Sequence, residues 1–265
     1  MFRVMTTALA TLMAMPAMAQ TYSDGLTSAE ILKGWRQADG SHMAAVEIKL
    51  EKNWKTYWRV AGSGGIPPLF DWSQSTNIAS VEFLWPVPSV FEEYGLRLVG
   101  YKDSLILPII LHPEDEAKPM SIDAGLQIGV CDDVCIPVET RLQSDLPSLL
   151  THDKQQIDAA LARQADMGSA GDQNATCRIS KTADGYEIVT ELDHPNAFPD
   201  TAFVFVEYPT DDWIAQGKTH LNGKRLATSA TIFSQSLDSV DADQLVMTVL
   251  AHQQALEISG CQITN

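Results

Sequence analysis

Apolar and polar residues alternate along this chain in short runs, and a period of two predicts strands rather than helices. In AEILKGWRQADGSHMAAVEIKL (residues 29–50), Val46, Ile48 and Leu50 alternate with Glu47 and Lys49. Asp39-Gly40 separates the two apolar runs, so this stretch predicts a hairpin that turns there. VEFLWPVP, LRLVGY, SLILPIIL and SIDAGLQIGV follow at short intervals, separated by Gly, Pro and Asp. That density of short strands, up to about Leu150, predicts an antiparallel sandwich. The texture changes in THDKQQIDAALARQAD (151–166), where Ile157, Ala160 and Leu161 share one helical face and Thr151 offers an N-cap. MGSAGDQN (167–174) reads as a flexible linker. Strands resume at Cys177, with CRISKTADGYEIVTEL as a second hairpin and AFVFVEY and QLVMTVLAH as core strands. The expected class is mainly β: a sandwich over 20–150, a helix and linker over 151–174, and a second β-rich domain over 175–265.

The first residues do not fit that pattern. Arg3 precedes an apolar run from Val4 to about Met15 that ends in Ala17-Met18-Ala19. This predicts a secretory signal over residues 1–19, with the mature chain starting at Gln20. The run is shorter than the roughly 20 residues a spanning helix needs. LILPIIL (105–111) has the length of a buried strand, so the mature protein is expected not to span a membrane. The net charge of −16 becomes −17 once Arg3 is removed, because no acid leaves with it. Such acidity argues against nucleic acid and anionic lipid as partners.

All four cysteines lie in the part expected to be exported, where disulfides form and persist. Four cysteines allow three connectivities, and spacing favours Cys131–Cys135 and Cys177–Cys261. Before the first pair, Ile122, Ala124, Leu126, Ile128 and Val130 are apolar while the odd positions between them are polar or Gly. Cys131 inherits the odd phase and is expected to face away from the core. Beyond Asp132-Asp133-Val134, read as a three-residue turn, Cys135 falls on the same outward face. Cys177 shares phase with Ile179 and Cys261 with Ile263, which predicts a buried structural disulfide. In the loop-entropy model an 84-residue closure stabilises by roughly 4–5 kcal/mol and a five-residue closure by about 2 kcal/mol. The difference corresponds to roughly 50 mV for a two-electron couple, which makes the short bridge the easier one to reduce.

Asp132 and Asp133 place negative charge beside the pair, which disfavours a thiolate, and no Lys, Arg or His lies within several residues in sequence. The oxidised pair is therefore expected to be a target for a partner's thiolate rather than a strongly activated nucleophile. Two other readings stay open: an inert hairpin clip and a metal clasp. The six histidines show no ligand spacing, and two thiols alone do not close a zinc site. Copper(I) could take the two thiolates, with Met120 as a further ligand. No metal or other cofactor is expected.

Three stretches together resemble the N-terminal periplasmic domain of the DsbD-type thiol:disulfide interchange proteins, including relatives linked to copper tolerance. They are NWKTYWRVAGSGGIPPLFDW (53–72), FEEYGLRLVGYKDSLILPIIL (91–111) and GVCDDVCIPVET (129–140), and the resemblance covers about 24–146. It implies an immunoglobulin-like sandwich whose cysteine pair, Cys131 and Cys135, relays electrons. The donor would be a membrane-embedded thiol reductase, and the acceptors exported thioredoxin-fold or other thiol proteins. It also implies an aromatic cap loop that shields the pair, here VFEEYG, with Phe91 and Tyr94 as the cap. Trp54, Tyr57 and Trp58 read as core. The chain departs from the best-known members in placing fewer residues between its cysteines. It contains no Cys-x-x-Cys, so its donor is expected to be a separate protein. The alternative from another class is a non-catalytic binding or copper-handling module.

Overall fold

The computed structural model describes residues 25–62, 64–93, 96–147, 149 and 151–264. The expected signal segment and the cleavage before Gln20 lie outside the described residues, as does Tyr94. The first half contains β1 (Leu26–Arg36), β2 (His42–Leu50), β3 (Lys55–Gly62), β4 (Leu69–Asp71) and β5 (Ser80–Phe83). It continues with β6 (Ser89–Glu93), β7 (Leu96–Lys102), β8 (Ser104–His112), β9 (Ser121–Cys131) and β10 (Cys135–Asp145). They build two antiparallel sheets, ordered β1-β2-β8-β5 and β10-β9-β3-β7-β6, with β4 added to β9. Val46, Ile48, Leu107 and Ile109 on one sheet face Trp58, Leu126, Ile128 and Val130 on the other. Every even position of β9 is buried, as the alternation requires, and of the odd ones only Gly129 and Cys131 are.

Two local expectations need correction. The helix α1 runs only over Lys154–Leu161, and Asp153 rather than Thr151 occupies its N-cap. Asp153 makes no side-chain cap bond because its carboxylate instead accepts from the Lys33 backbone N–H at 3.0 Å. Ile157 and Ala160 are buried, and Ile157 packs with Leu32, Met43 and Ala45, so the helix lies against the first sandwich. The supposed flexible linker begins with a strand, β11 (Asp166–Ser169).

The second half adds β12 (Thr176–Lys181), β13 (Gly185–Asp193), β14 (Phe203–Glu207), β15 (Trp213–Gln216) and β16 (His220–Asn222). Then come β17 (Arg225–Phe233), β18 (Val246–Ala251), β19 (Gln254–Ser259) and β20 (Gln262–Ile263). Its sheets are ordered β11-β19-β18-β14 and β15-β17-β13-β12-β20, with β16 on β17. β11 pairs with β19 in parallel, a partner far along the chain that local pattern does not reveal.

The halves meet through charge and aromatic rings. Arg59, on β3, donates from Nε to Glu207 at 2.7 Å and from a terminal nitrogen to Glu257 at 2.7 Å. Its guanidinium lies 4.3 Å from the Trp58 ring, and Trp58 meets Phe205 edge-on at 6.1 Å. Burial alone would lower the pKa of this guanidinium, but the two carboxylates hold it above its ordinary value. Arg97 adds a second stack, 3.5 Å from the Phe203 ring centroid.

Candidate functional site

The β9–β10 hairpin keeps an unbroken register from Ser121↔Asp145 to Cys131↔Cys135. Its neck therefore sets the two cysteines opposite each other, with Cα atoms 4.2 Å apart and the sulfurs bonded. Asp132, Asp133 and Val134 form the exposed turn beyond them. The two cysteines are not equivalent. Cys135 is exposed, whereas Cys131 is 1% exposed.

Alternation along β9 puts Cys131 on the outward face of its strand. It does point away from the sandwich core, but a second, smaller apolar cluster covers that outer face. Tyr57, Ala61 and Leu98 bury Cys131, and Phe91 packs against them. Gly129 permits this cover. A Cβ there would lie 2.7 Å from the Ile66 Cβ and 3.1 Å from the Tyr57 ring.

Tyr57 was read as core, and it is both core and site. Its side chain is buried, and its hydroxyl donates to Cys131 Sγ at 2.8 Å and lies 3.0 Å from Cys135 Sγ. Trp58, the next residue, faces the sandwich core, as alternation along β3 demands. The structure also brings in Lys55, which is distant from the pair in sequence. It is the register partner of Cys131 across the β3–β9 ladder, and its Nζ lies 5.9 Å from the Phe91 ring centroid. Of the expected cap, Phe91 stands beside the pair; Tyr94 lies outside the described residues.

The other bridge joins Cys177 of β12 to Cys261, with Cα atoms 5.7 Å apart in the core of the second half. Cys261 turns inward, yet not by sharing a phase with Ile263, which is 66% exposed. The left-handed Gly260 (φ 73°) breaks the strand just before it, and Cys261 sits between β19 and β20. Met120 precedes β9 and is buried in the main core. An 11-residue strand at about 3.3 Å per residue separates it from Cys131, so it cannot serve as a ligand there. Among the described residues, no group of three or more His, Cys, Asp or Glu side chains is placed to hold a metal ion.

The fold and this hairpin define a β-sandwich that presents one half-covered, half-exposed disulfide at a sheet end. Residues 28–147 match the family model described as thiol:disulfide interchange protein DsbD, N-terminal, and are a DsbD-type N-terminal domain of the thiol:disulfide interchange class. The chain is similar in structure to the N-terminal periplasmic domain of ScsB from Proteus mirabilis. The two are 18% identical, the match covers 90% of this chain and 92% of that one, and the TM-score is 0.58. That likeness of fold extends beyond the family match into the second half. The structure of Yersinia pseudotuberculosis InvD aligns with 10% identity over 89% of this chain and 57% of that one, at a TM-score of 0.19, too low to bear on the fold. No curated protein matches the chain. Among the described residues, no helix is long and apolar enough to cross a membrane.

Proposed function

We propose that the protein is a periplasmic thiol–disulfide carrier that relays electrons through a reversible Cys131–Cys135 disulfide. The observation that supports this best is the asymmetry of the pair. A thiolate from outside can reach Cys135 Sγ, while Cys131 lies beneath Tyr57, Leu98 and Phe91. A donor thiolate attacks Cys135 Sγ and forms a mixed disulfide. The Cys131–Cys135 bond breaks, and its electron pair leaves on Cys131 as a thiolate. The donor's second thiolate then attacks the donor sulfur of the mixed disulfide and releases Cys135. The donor ends as a disulfide, and the carrier has gained two electrons. With an acceptor disulfide the same steps run in reverse, Cys135 attacking and Cys131 resolving.

In this reading the donor is a membrane-embedded thiol reductase and the acceptors are exported thioredoxin-fold or other thiol proteins. Residues 1–19 direct export and are removed. Phe91 shields the pair with Tyr94, Asp132 and Asp133 disfavour a thiolate at the pair, and Cys177–Cys261 is a structural bridge. The test is a redox titration with alkylation and peptide mapping. Cys131 and Cys135 should become labelled at a potential typical of exported relay proteins, while Cys177 and Cys261 stay protected. A short bridge that resists reduction below about −300 mV would be a clip, and the carrier reading would end.

A further inference from the structure

Lys55 is a buried cation that the exchange steps above leave without a task. It opens β3 opposite Cys131, and paired residues of an antiparallel ladder project from the same face with Cβ atoms about 4.5–5.5 Å apart. The residue is 7% exposed, and its ammonium lies near Phe91, which itself packs on the cluster that covers Cys131. Other charges surround this pocket. β6 carries Glu92, β7 carries Lys102 as the second register partner of Lys55, and the hairpin turn carries Asp132 and Asp133. Glu92 is 3.7 Å from Arg97. Glu92, Lys102 and both aspartates are exposed, where water and salt screen them. Lys55 acts from under cover, where a unit charge reaches a neighbour several-fold more strongly.

We propose that Lys55 is the counter-charge for Cys131: when a thiolate attacks Cys135, the negative charge that lands on buried Cys131 Sγ is balanced by the Lys55 ammonium. The electrostatic field then differs across one disulfide. The cation stands in register with the covered sulfur, so Cys131 is the better leaving group and attack is directed to Cys135. This inference rests on the carrier reading for its purpose, although the charge effect is measurable without it.

The test uses the full chain carrying Cys135→Ser, which leaves Cys131 as the free thiol while Cys177–Cys261 stays oxidised. Thiolate absorbance is followed against pH with Lys55, Lys55→Met and Lys55→Arg in that background. Lys55→Met should raise the Cys131 midpoint by about one unit, a tenfold loss of thiolate below the midpoint, and Lys55→Arg should restore it. A merely structural lysine would give midpoints that coincide in Lys55 and Lys55→Met, and that result overturns the proposal. If Lys55→Met does not fold, Lys55→Gln takes its place in the same comparison. A shifted midpoint in a protein whose short bridge resists reduction would keep the counter-charge and end the carrier reading. A relay-range potential with no shift would do the reverse.

Discussion

Replacing Tyr57 with Phe removes one oxygen and leaves the ring that buries Cys131. In the oxidised protein the hydroxyl donates to a neutral sulfur at 2.8 Å, a bond contributing about 0.5–1.5 kcal/mol. After reduction the same donor faces a thiolate, and hydrogen bonds to charged groups contribute about 1.5–3 kcal/mol. The differential loss is therefore about 1–1.5 kcal/mol against the thiolate. That is about one pKa unit for the cysteine pair, and about 30 mV toward more negative potential at pH values where the thiolate is formed. Oxidised Tyr57→Phe should lose only about 1 kcal/mol of stability, or about 2–4 °C in Tm for a chain of this size. Thiolate absorbance against pH measures the first quantity and equilibration with a glutathione buffer at alkaline pH the second. An unchanged midpoint together with an unchanged potential would show that the hydroxyl does not follow the sulfurs into the reduced state. A large loss of stability in the oxidised form would show that its main role is packing.

Replacing both Cys177 and Cys261 with Ala should lower stability by about 2–5 kcal/mol in denaturant unfolding while the short bridge still exchanges, because only the long loop is released. Phe91→Ala should speed attack by glutathione on Cys131–Cys135 and slow exchange with a protein partner; an unchanged glutathione rate would retire the shield. His42 is 1% exposed and donates from Nε2 to the Lys33 carbonyl at 2.6 Å, and burial holds its pKa below the ordinary 6.5. The unfolded chain therefore takes up this proton first, and stability should fall as pH drops below about 6.5, by at most about 1.4 kcal/mol per unit. That window lies well above 3.8, near which Asp71, Asp115 and Asp123, all with lowered pKa values, begin to matter. His42→Gln should flatten the slope between pH 6.5 and 5 in thermal melts.

What could be read in the sequence was whatever lies within one strand or one hairpin. The alternation from Ile122 to Val130 placed the inner face of β9, and the three-residue turn placed Cys131 opposite Cys135. What could not be read was what lies across a ladder. Lys55 and Tyr57 reach the disulfide through the β3–β9 pairing, and no local pattern announces that register. The same limit hid β11, whose polar residues acquire a strand only from β19. It also hid the part of the cover over Cys131 that Tyr57, Ala61 and Leu98 form, because an odd-phase residue is exposed only if no other element lies on that face. The short helix illustrates a smaller failure. Its best cap candidate by residue type, Thr151, lost to Asp153, which the Lys33 backbone N–H fixes in place.

The Arg59 joint bears on how this protein could be taken apart. Arg59 stands two residues beyond Tyr57 on the same strand, and its guanidinium is held by two carboxylates from the other half. Cutting the chain after the first sandwich would strip Phe205 from Trp58 and strand that cation on a newly wetted apolar face. The strand bearing both the hydroxyl and the ammonium of the site would lose its abutment at the same moment. For protein engineering the smallest transplantable unit is accordingly the pair of halves, with the second serving as masonry behind the working edge of the first.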